Sequence, residues 1–316
     1  MIELGHDQAY VLQQLLNALQ LAAFYLPLAV AFAMIQAITR RIFLSFGDLA
    51  MFGSFAAIYA SFSSMVSGAS DFASGMAGLG LAIACGAALG FAVSKVMLSR
   101  DLLRHPMAFM IGSIGLAIFL QELMRLQSGN ADIWIPPLLS DQHFIRLGGP
   151  FPIRVGLLTA ISIMVSGAAI AAVCLWLTRS RFGLAWRACA QQPLLAGLCG
   201  IDAQHVAAMS FAIAGGLSGV TGWTSAIVYG GANFSIGLTT GFKAMFASVI
   251  GGFGTIRGAI AGAIVLAVAE VAWSAAFSTA YRDVAVFGFI VLVLVFRPEG
   301  LLGLASRDRS FDNQEP

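Results

Sequence analysis

Charged residues are scarce in this sequence. Seventeen Lys and Arg with fifteen Asp and Glu make up only 10% of its 316 residues, against roughly 25% in a soluble domain. With 59% of residues hydrophobic and a mean hydropathy of +0.87, a water-soluble fold would have too little polar surface to cover its apolar part. The composition therefore excludes a soluble domain and places the chain in a lipid bilayer. A net charge of +2 is too small for a polyanion-binding surface, so no nucleic-acid partner is expected.

Chemistry-bearing motifs are missing as well. No G-x-x-x-x-G-K-[ST] occurs, so no loop cradles the phosphates of ATP, and ATP hydrolysis, where it is needed, must come from another subunit. There is no H-E-x-x-H, no G-x-S-x-G and no converging His/Asp pair in an apolar run. No catalytic residue, metal site or cofactor is expected, and the chain is not expected to be an enzyme. Cys85, Cys174, Cys189 and Cys199 lack ligand spacing, implying neither a disulfide frame nor zinc. The N-terminus carries Glu3, His6 and Asp7 but no Lys or Arg, so it lacks the basic region of a cleaved signal. The first apolar run, from Tyr10, is expected to persist as a helix.

What the sequence does have is apolar length and glycine. A spanning helix needs about 20 apolar residues, and candidates lie near 11–38, 42–66, 77–98, 106–126, 154–178, 205–229, 236–254, 258–278 and 283–297. The expected fold is all-α, a polytopic membrane bundle of about eight or nine spans. Two segments are interrupted by glycine, 42–66 at Gly47 and Gly53, and 236–254 at Gly241, Gly251 and Gly252. Each either crosses or re-enters, because irregular backbone survives at membrane depth only inside protein or beside a cavity.

Twelve of the seventeen basic residues fall on one side of these spans: Arg40, Arg41, Lys95, Arg100, Arg104, Arg179, Arg181, Arg187, Arg257, Arg297, Arg307 and Arg309. The positive-inside rule then puts the C-terminus in the cytoplasm and the N-terminus outside. Residues 1–305 read as one transmembrane domain, with an external loop at 128–153, a cytoplasmic loop at 179–204 and a disordered tail at 306–316. The external loop is stiffened by Pro136, Pro137 and Pro150 and offers a docking surface. In the cytoplasmic loop, Leu184, Ala188, Leu195 and Leu198 follow the spacing of a short amphipathic helix, which Pro193 must begin or kink.

Charges inside spans are the next signal, because an ionised group at the bilayer centre costs roughly 2.5–3.5 kcal/mol on insertion scales. Asp48, Lys243 and Glu270 are candidates to line a solute pathway, with helix-end anchoring as the alternative. Glu122 and Arg125, three residues apart, are expected to pair on a helix rim. Gln13, Asn17 and Gln20 share one face of the first span and suit hydrogen bonding between helices. Gly254, Gly258 and Gly262 form a small-residue face for close packing, and Gly86 with Gly90 and Gly215 with Gly219 repeat the pattern.

Three stretches carry a family resemblance: RFGLAWRACAQQPLLAGLCGIDAQHVAAMSFAIAGGLSGVTGW at 181–223, GLTTGFKAMFASVIGGFGTIRGAIAGAIVLAVAE at 237–270, and VAVFGFIVLVLVFRPEGLLG at 284–303. Together they resemble the permease subunits of branched-chain amino acid ABC importers, a group that also includes urea and short-amide permeases. The resemblance implies a multi-pass protein of the bacterial inner membrane that works by alternating access. It implies separate ATP-binding subunits, a second paralogous permease subunit and an external solute-binding protein as partners. It also implies that Arg187, Ala188, Ala190, Ala196, Gly200 and Ile201 belong to a cytoplasmic coupling helix that rests on the ATPase. The chain departs from the family pattern at Gln191, Gln192 and Pro193, where relatives carry acidic residues. It departs again in LSFGDLAMFGSF, which lacks the family's histidine. Branched-chain or other small amino acids are the leading cargo, with urea, amides or another small polar solute as alternatives. An ion-coupled secondary transporter using Asp48 and Glu270 remains the rival mechanism.

Overall fold

The computed structural model describes residues 6–99, 102, 105–129, 133–134, 156–297 and 300. Most of the 128–153 loop and all of the 306–316 tail lie outside the described residues. The helices are α1 (His6–Thr39), α2 (Phe46–Val66), α3 (Asp71–Met97), α4 (Pro106–Ser128), α5 (Leu157–Arg179), α6 (Arg181–Gln191), α7 (Pro193–Leu198), α8 (Ala203–Tyr229), α9 (Ile236–Gly251), α10 (Ile256–Ala276) and α11 (Arg282–Phe296). A two-residue antiparallel ladder joins β1 (Ile133–Trp134) to β2 (Gly231–Ala232), pairing Ile133 with Ala232 and Trp134 with Gly231. The architecture is an all-α membrane bundle: among the described residues, eight helical stretches are long and apolar enough to cross a membrane, the last being α11 together with the 3-10 turn that leads into it, Thr279–Phe296.

Local chemistry sets the helix boundaries. The Asp202 carboxylate caps α8 by accepting from the backbone N–H groups of Gln204 and His205 at 2.9 and 3.2 Å. Ser180 caps α6 in the same way, accepting from Gly183 N–H at 2.9 Å; such caps satisfy otherwise orphaned donors. Pro193 opens α7, where its missing N–H costs nothing, so the cytoplasmic loop folds as two short helices rather than one kinked helix. Helices α1 and α8 are the most buried of the long helices and form the axis on which α2, α3, α5, α9 and α10 pack.

The two interrupted segments behave differently from each other. Helix α2 runs unbroken through Gly47 and Gly53 for 21 residues, and the break lies before it, at residues 40–45. Arg40 turns the chain at a φ of 52°, a left-handed conformation that non-glycine residues seldom adopt. The stretch is anchored by aromatic packing: the Phe43 ring lies 4.8 Å from Phe46 and 5.3 Å from Phe211, and Phe43 and Phe46 are fully buried. The glycines in α2 instead allow close approach, since Gly47 abuts Gly237 and Gly241, and Gly53 abuts Gly219. Helix α9 has 16 residues, about 24 Å at 1.5 Å per residue, which is short of a ~30 Å hydrocarbon core. It ends where Gly252 takes a φ of 132°.

Glycine also governs the other helix crossings. Gly86 and Gly90 of α3 meet Gly215 and Gly219 of α8 backbone to backbone, so the two repeats seen in the sequence pack against each other. In the third stripe, Gly258 meets Gly251 and Gly262 meets Ala247, which holds α10 against α9. Gly254 is not on that helical face, because it lies in the turn before α10, at a φ of 72°, beside Ala37.

Candidate functional site

At the end of the bundle where α8 finishes and α11 begins, a cavity of about 260 Å³ opens among α1, α8, α9, α10 and α11. Helix α9 supplies Ile236, Thr239, Thr240 and Lys243 to its wall, a spacing of three, four and seven that puts them on one helical face. Phe24 and Tyr25 enter from α1 and Tyr229 from α8. Phe24 meets Tyr229 edge to face, with ring centroids 5.8 Å apart.

Four charges converge in this cavity. The Lys243 ammonium donates to Glu270 Oε1 at 2.9 Å and to Asp283 Oδ1 at 2.8 Å. Arg282 Nε pairs with the same Glu270 oxygen at 3.2 Å. The Tyr25 hydroxyl donates to Glu270 Oε2 at 3.0 Å, so both carboxylate oxygens have partners. The two cations and two anions sum to zero, which is how a membrane interior tolerates them. Exposure is graded: the Lys243 and Glu270 side chains are 7% and 2% exposed, whereas those of Arg282 and Asp283 are 47% and 61% exposed. The inner pair is fixed, and the outer pair forms the rim.

Of the pathway candidates read from the sequence, Lys243 and Glu270 come together here, while Asp48 does not line this cavity. Asp48 is buried in the first turn of α2, where helix N–H dipoles favour a carboxylate, and it accepts a 2.8 Å hydrogen bond from Gln121 Nε2. It sits beside Gly237 at the start of α9. Nearby, a void of about 10 Å³ shares Phe24, Ile236 and Thr240 with the cavity and is bounded by Gly47 and Gly237. The Thr221 and Ser225 hydroxyls lining this void have no hydrogen-bond partner among the described residues.

The coupling candidates gather at the other end of the bundle. Arg40 Nη2 donates to the Gln191 carbonyl at 2.9 Å, tying α1 to α6. Arg187 Nη1 donates to the Leu177 carbonyl at 2.8 Å and so braces the α5–α6 corner. Ala188, Ala190 and Ile201 are half-buried, Ala196 is buried, and Gly200 is exposed at a φ of 81°. The surface there is made by Leu184, Leu194, Leu195 and Leu198, of which Leu194 and Leu198 are 81% and 79% exposed.

Elsewhere, Arg125 Nε donates to Glu122 at 2.8 Å on an exposed face. Gln13 Nε2 donates to Asn17 Oδ1 at 3.2 Å within α1, so that contact runs along one helix rather than between two. Sequence reading missed Tyr25, Tyr229, Arg282 and Asp283 as companions of the Lys243–Glu270 pair. One signal was available, since a tyrosine hydroxyl buried deep in an apolar helix needs a partner. Arg282 and Asp283, at the start of a span, read as ordinary loop charges.

The sequence pattern of the family described as branched-chain amino acid transport system, permease component, matches residues 14–295. The high-affinity branched-chain amino acid transport system permease protein LivH of Salmonella typhimurium is 33% identical over 298 residues, covering 93% of this chain and 96% of the relative. LivH of Escherichia coli K12 is 32% identical with the same coverage. The permease protein BraD of Pseudomonas aeruginosa is 31% identical over 295 residues, again 93% and 96%. A solved structure, PsaBC from Streptococcus pneumoniae in complex with Fab, aligns over 90% of this chain and 92% of that chain. Its TM-score of 0.42 and 15% identity are too low to bear on the fold.

Proposed function

The chain belongs to the branched-chain amino acid transport permease family, and from that premise we propose that it is the membrane-spanning permease subunit of an ABC importer for branched-chain or similar small amino acids. Its partners are ATP-binding subunits, a second paralogous permease subunit and a solute-binding protein that delivers cargo at the cavity end. The N-terminus faces outward and the C-terminus the cytoplasm of a bacterial inner membrane. The observation that carries this reading is the charge-paired polar cavity, built on a helix too short to cross and set in a predominantly apolar bundle. Lys243 and Glu270 line the pathway at its outer part, and Asp48 lies further along, where α2 and α9 meet. The exposed leucines of α7 and the adjoining α6 are a suitable surface for an ATPase groove, with Arg187 bracing them. Gly258 and Gly262 keep α9 and α10 in backbone contact, a packing that allows sliding during alternating access.

The test is uptake of labelled leucine by the assembled transporter in proteoliposomes. Uptake that depends on internal or external ATP and persists with an uncoupler is the expected result. Uptake that collapses with the ion gradient would overturn the reading in favour of ion coupling through Asp48 and Glu270.

A further inference from the structure

The cavity's charges are arranged for exchange rather than only for storage. Glu270 is held inside by Tyr25 and Lys243, whereas Asp283 reaches Lys243 from an exposed position on α11. Arg282 stands beside it, also half-exposed, and engages Glu270 through Nε, one of the five donors its guanidinium carries. A singly charged solute entering this neutral cluster would leave one ion without a partner, which is costly away from water. A neutral solute such as urea offers these ions nothing better than the partners they already have. A zwitterion can insert among these ions with no change in net charge, each of its two charges meeting an opposite one.

Resting on the import reading above, we propose that this chain itself holds a binding site for a free zwitterionic α-amino acid in this cavity. Lys243 and Arg282 take the carboxylate, Asp283 takes the ammonium, and Leu21, Phe24 and Ile236 meet the aliphatic side chain. These three apolar residues line the same cavity as the four charges. Its volume of about 260 Å³ is many times the roughly 10–15 Å³ that one water requires on this measure. Specificity then resides in the permease as well as in any protein that delivers the cargo. The incoming carboxylate displaces Asp283 from Lys243, and the freed Asp283 carboxylate receives the ammonium, so binding loosens the link between α9 and α11.

The experiment is equilibrium binding of radiolabelled L-leucine to the purified full chain in lipid nanodiscs, with unlabelled competitors at millimolar concentrations. Leucine itself should displace the label. Leucinamide, which lacks the carboxylate, and 4-methylpentanoate, which lacks the ammonium, should each compete about tenfold less well or worse, and urea should not compete; charge-assisted hydrogen bonds are worth that much. Arg282→Gln and Asp283→Asn should each weaken leucine binding about tenfold, with Arg282→Lys losing less, while Glu122→Gln, on an exposed face of α4 outside the cavity lining, binds as the unaltered chain does. No leucine binding by the unaltered chain, equal competition from urea or either single-charge analogue, or unchanged affinity in both rim variants would overturn the proposal. The competition series uses the unaltered chain and does not depend on any variant folding. If ATP-driven uptake holds while binding fails, only this inference falls; if binding holds while uptake fails, only the importer assignment falls.

Discussion

Tyr25 donates a hydrogen bond to the buried carboxylate of Glu270, and its ring packs 5.4 Å from that of Phe24. The ring fills core space, and the hydroxyl satisfies the one Glu270 oxygen that neither Lys243 nor Arg282 reaches. Tyr25→Phe keeps the ring and removes that donor. It should lower stability by about 1–3 kcal/mol, the usual cost of leaving a buried acceptor unsatisfied, as measured by thermal unfolding of the purified chain; an unchanged melting temperature would show that Glu270 finds another donor. Lys243 and Glu270 were legible as residues of interest because charges in an apolar run are costly. Their pairing was not legible, because 27 residues and a helix boundary separate them in sequence. Asp48 was legible for the same reason, yet its hydrogen-bond partner Gln121 lies 73 residues away.

Among the elements, α3 and α8 meet backbone to backbone where Gly86 and Gly90 face Gly215 and Gly219. A Cβ at Gly86 or Gly215 would fall onto the backbone of the opposing helix, and backbone cannot yield as a flexible side chain can. By contrast, a Cβ at Gly115 on α4 meets open space. Gly86→Ala should therefore destabilise the bundle by about 1–3 kcal/mol through overpacking. Gly115→Ala should be neutral or stabilising by up to about 1 kcal/mol from helix propensity. Unfolding of the two variants in the same detergent checks this, and equal effects would contradict the crossing geometry. The glycine spacings were visible in the sequence, but which stripe faces which was not. Gly254 shows the limit: its four-residue spacing to Gly258 looks helical, yet the turn after Gly252 removes it from the face.

At the scale of the whole molecule, the charged cavity and the exposed leucines occupy opposite ends of α8, which is 27 residues long, or about 40 Å. If the leucine end faces the cytoplasm, exposed Cys199 is reached only from inside. In the chain expressed without partners, a membrane-impermeant maleimide should label Cys199 in inside-out vesicles and not in intact spheroplasts; labelling of intact spheroplasts would reverse the orientation. Cys189 should stay unlabelled from either side, because burial first and nearby Asp202 second raise its thiol pKa, and reaction needs the thiolate. Membrane residence, the approximate number of helices and the amphipathic helical character of the 179–204 loop follow from sequence alone, since hydropathy and helical period are local properties of consecutive residues. The place where the chain breaks before α2, the shortness of α9 and the meeting of Lys243, Glu270, Arg282, Asp283 and Tyr25 were decided only by tertiary packing. Each depends on which distant helices come into backbone contact, and on where a buried charge then finds its opposite.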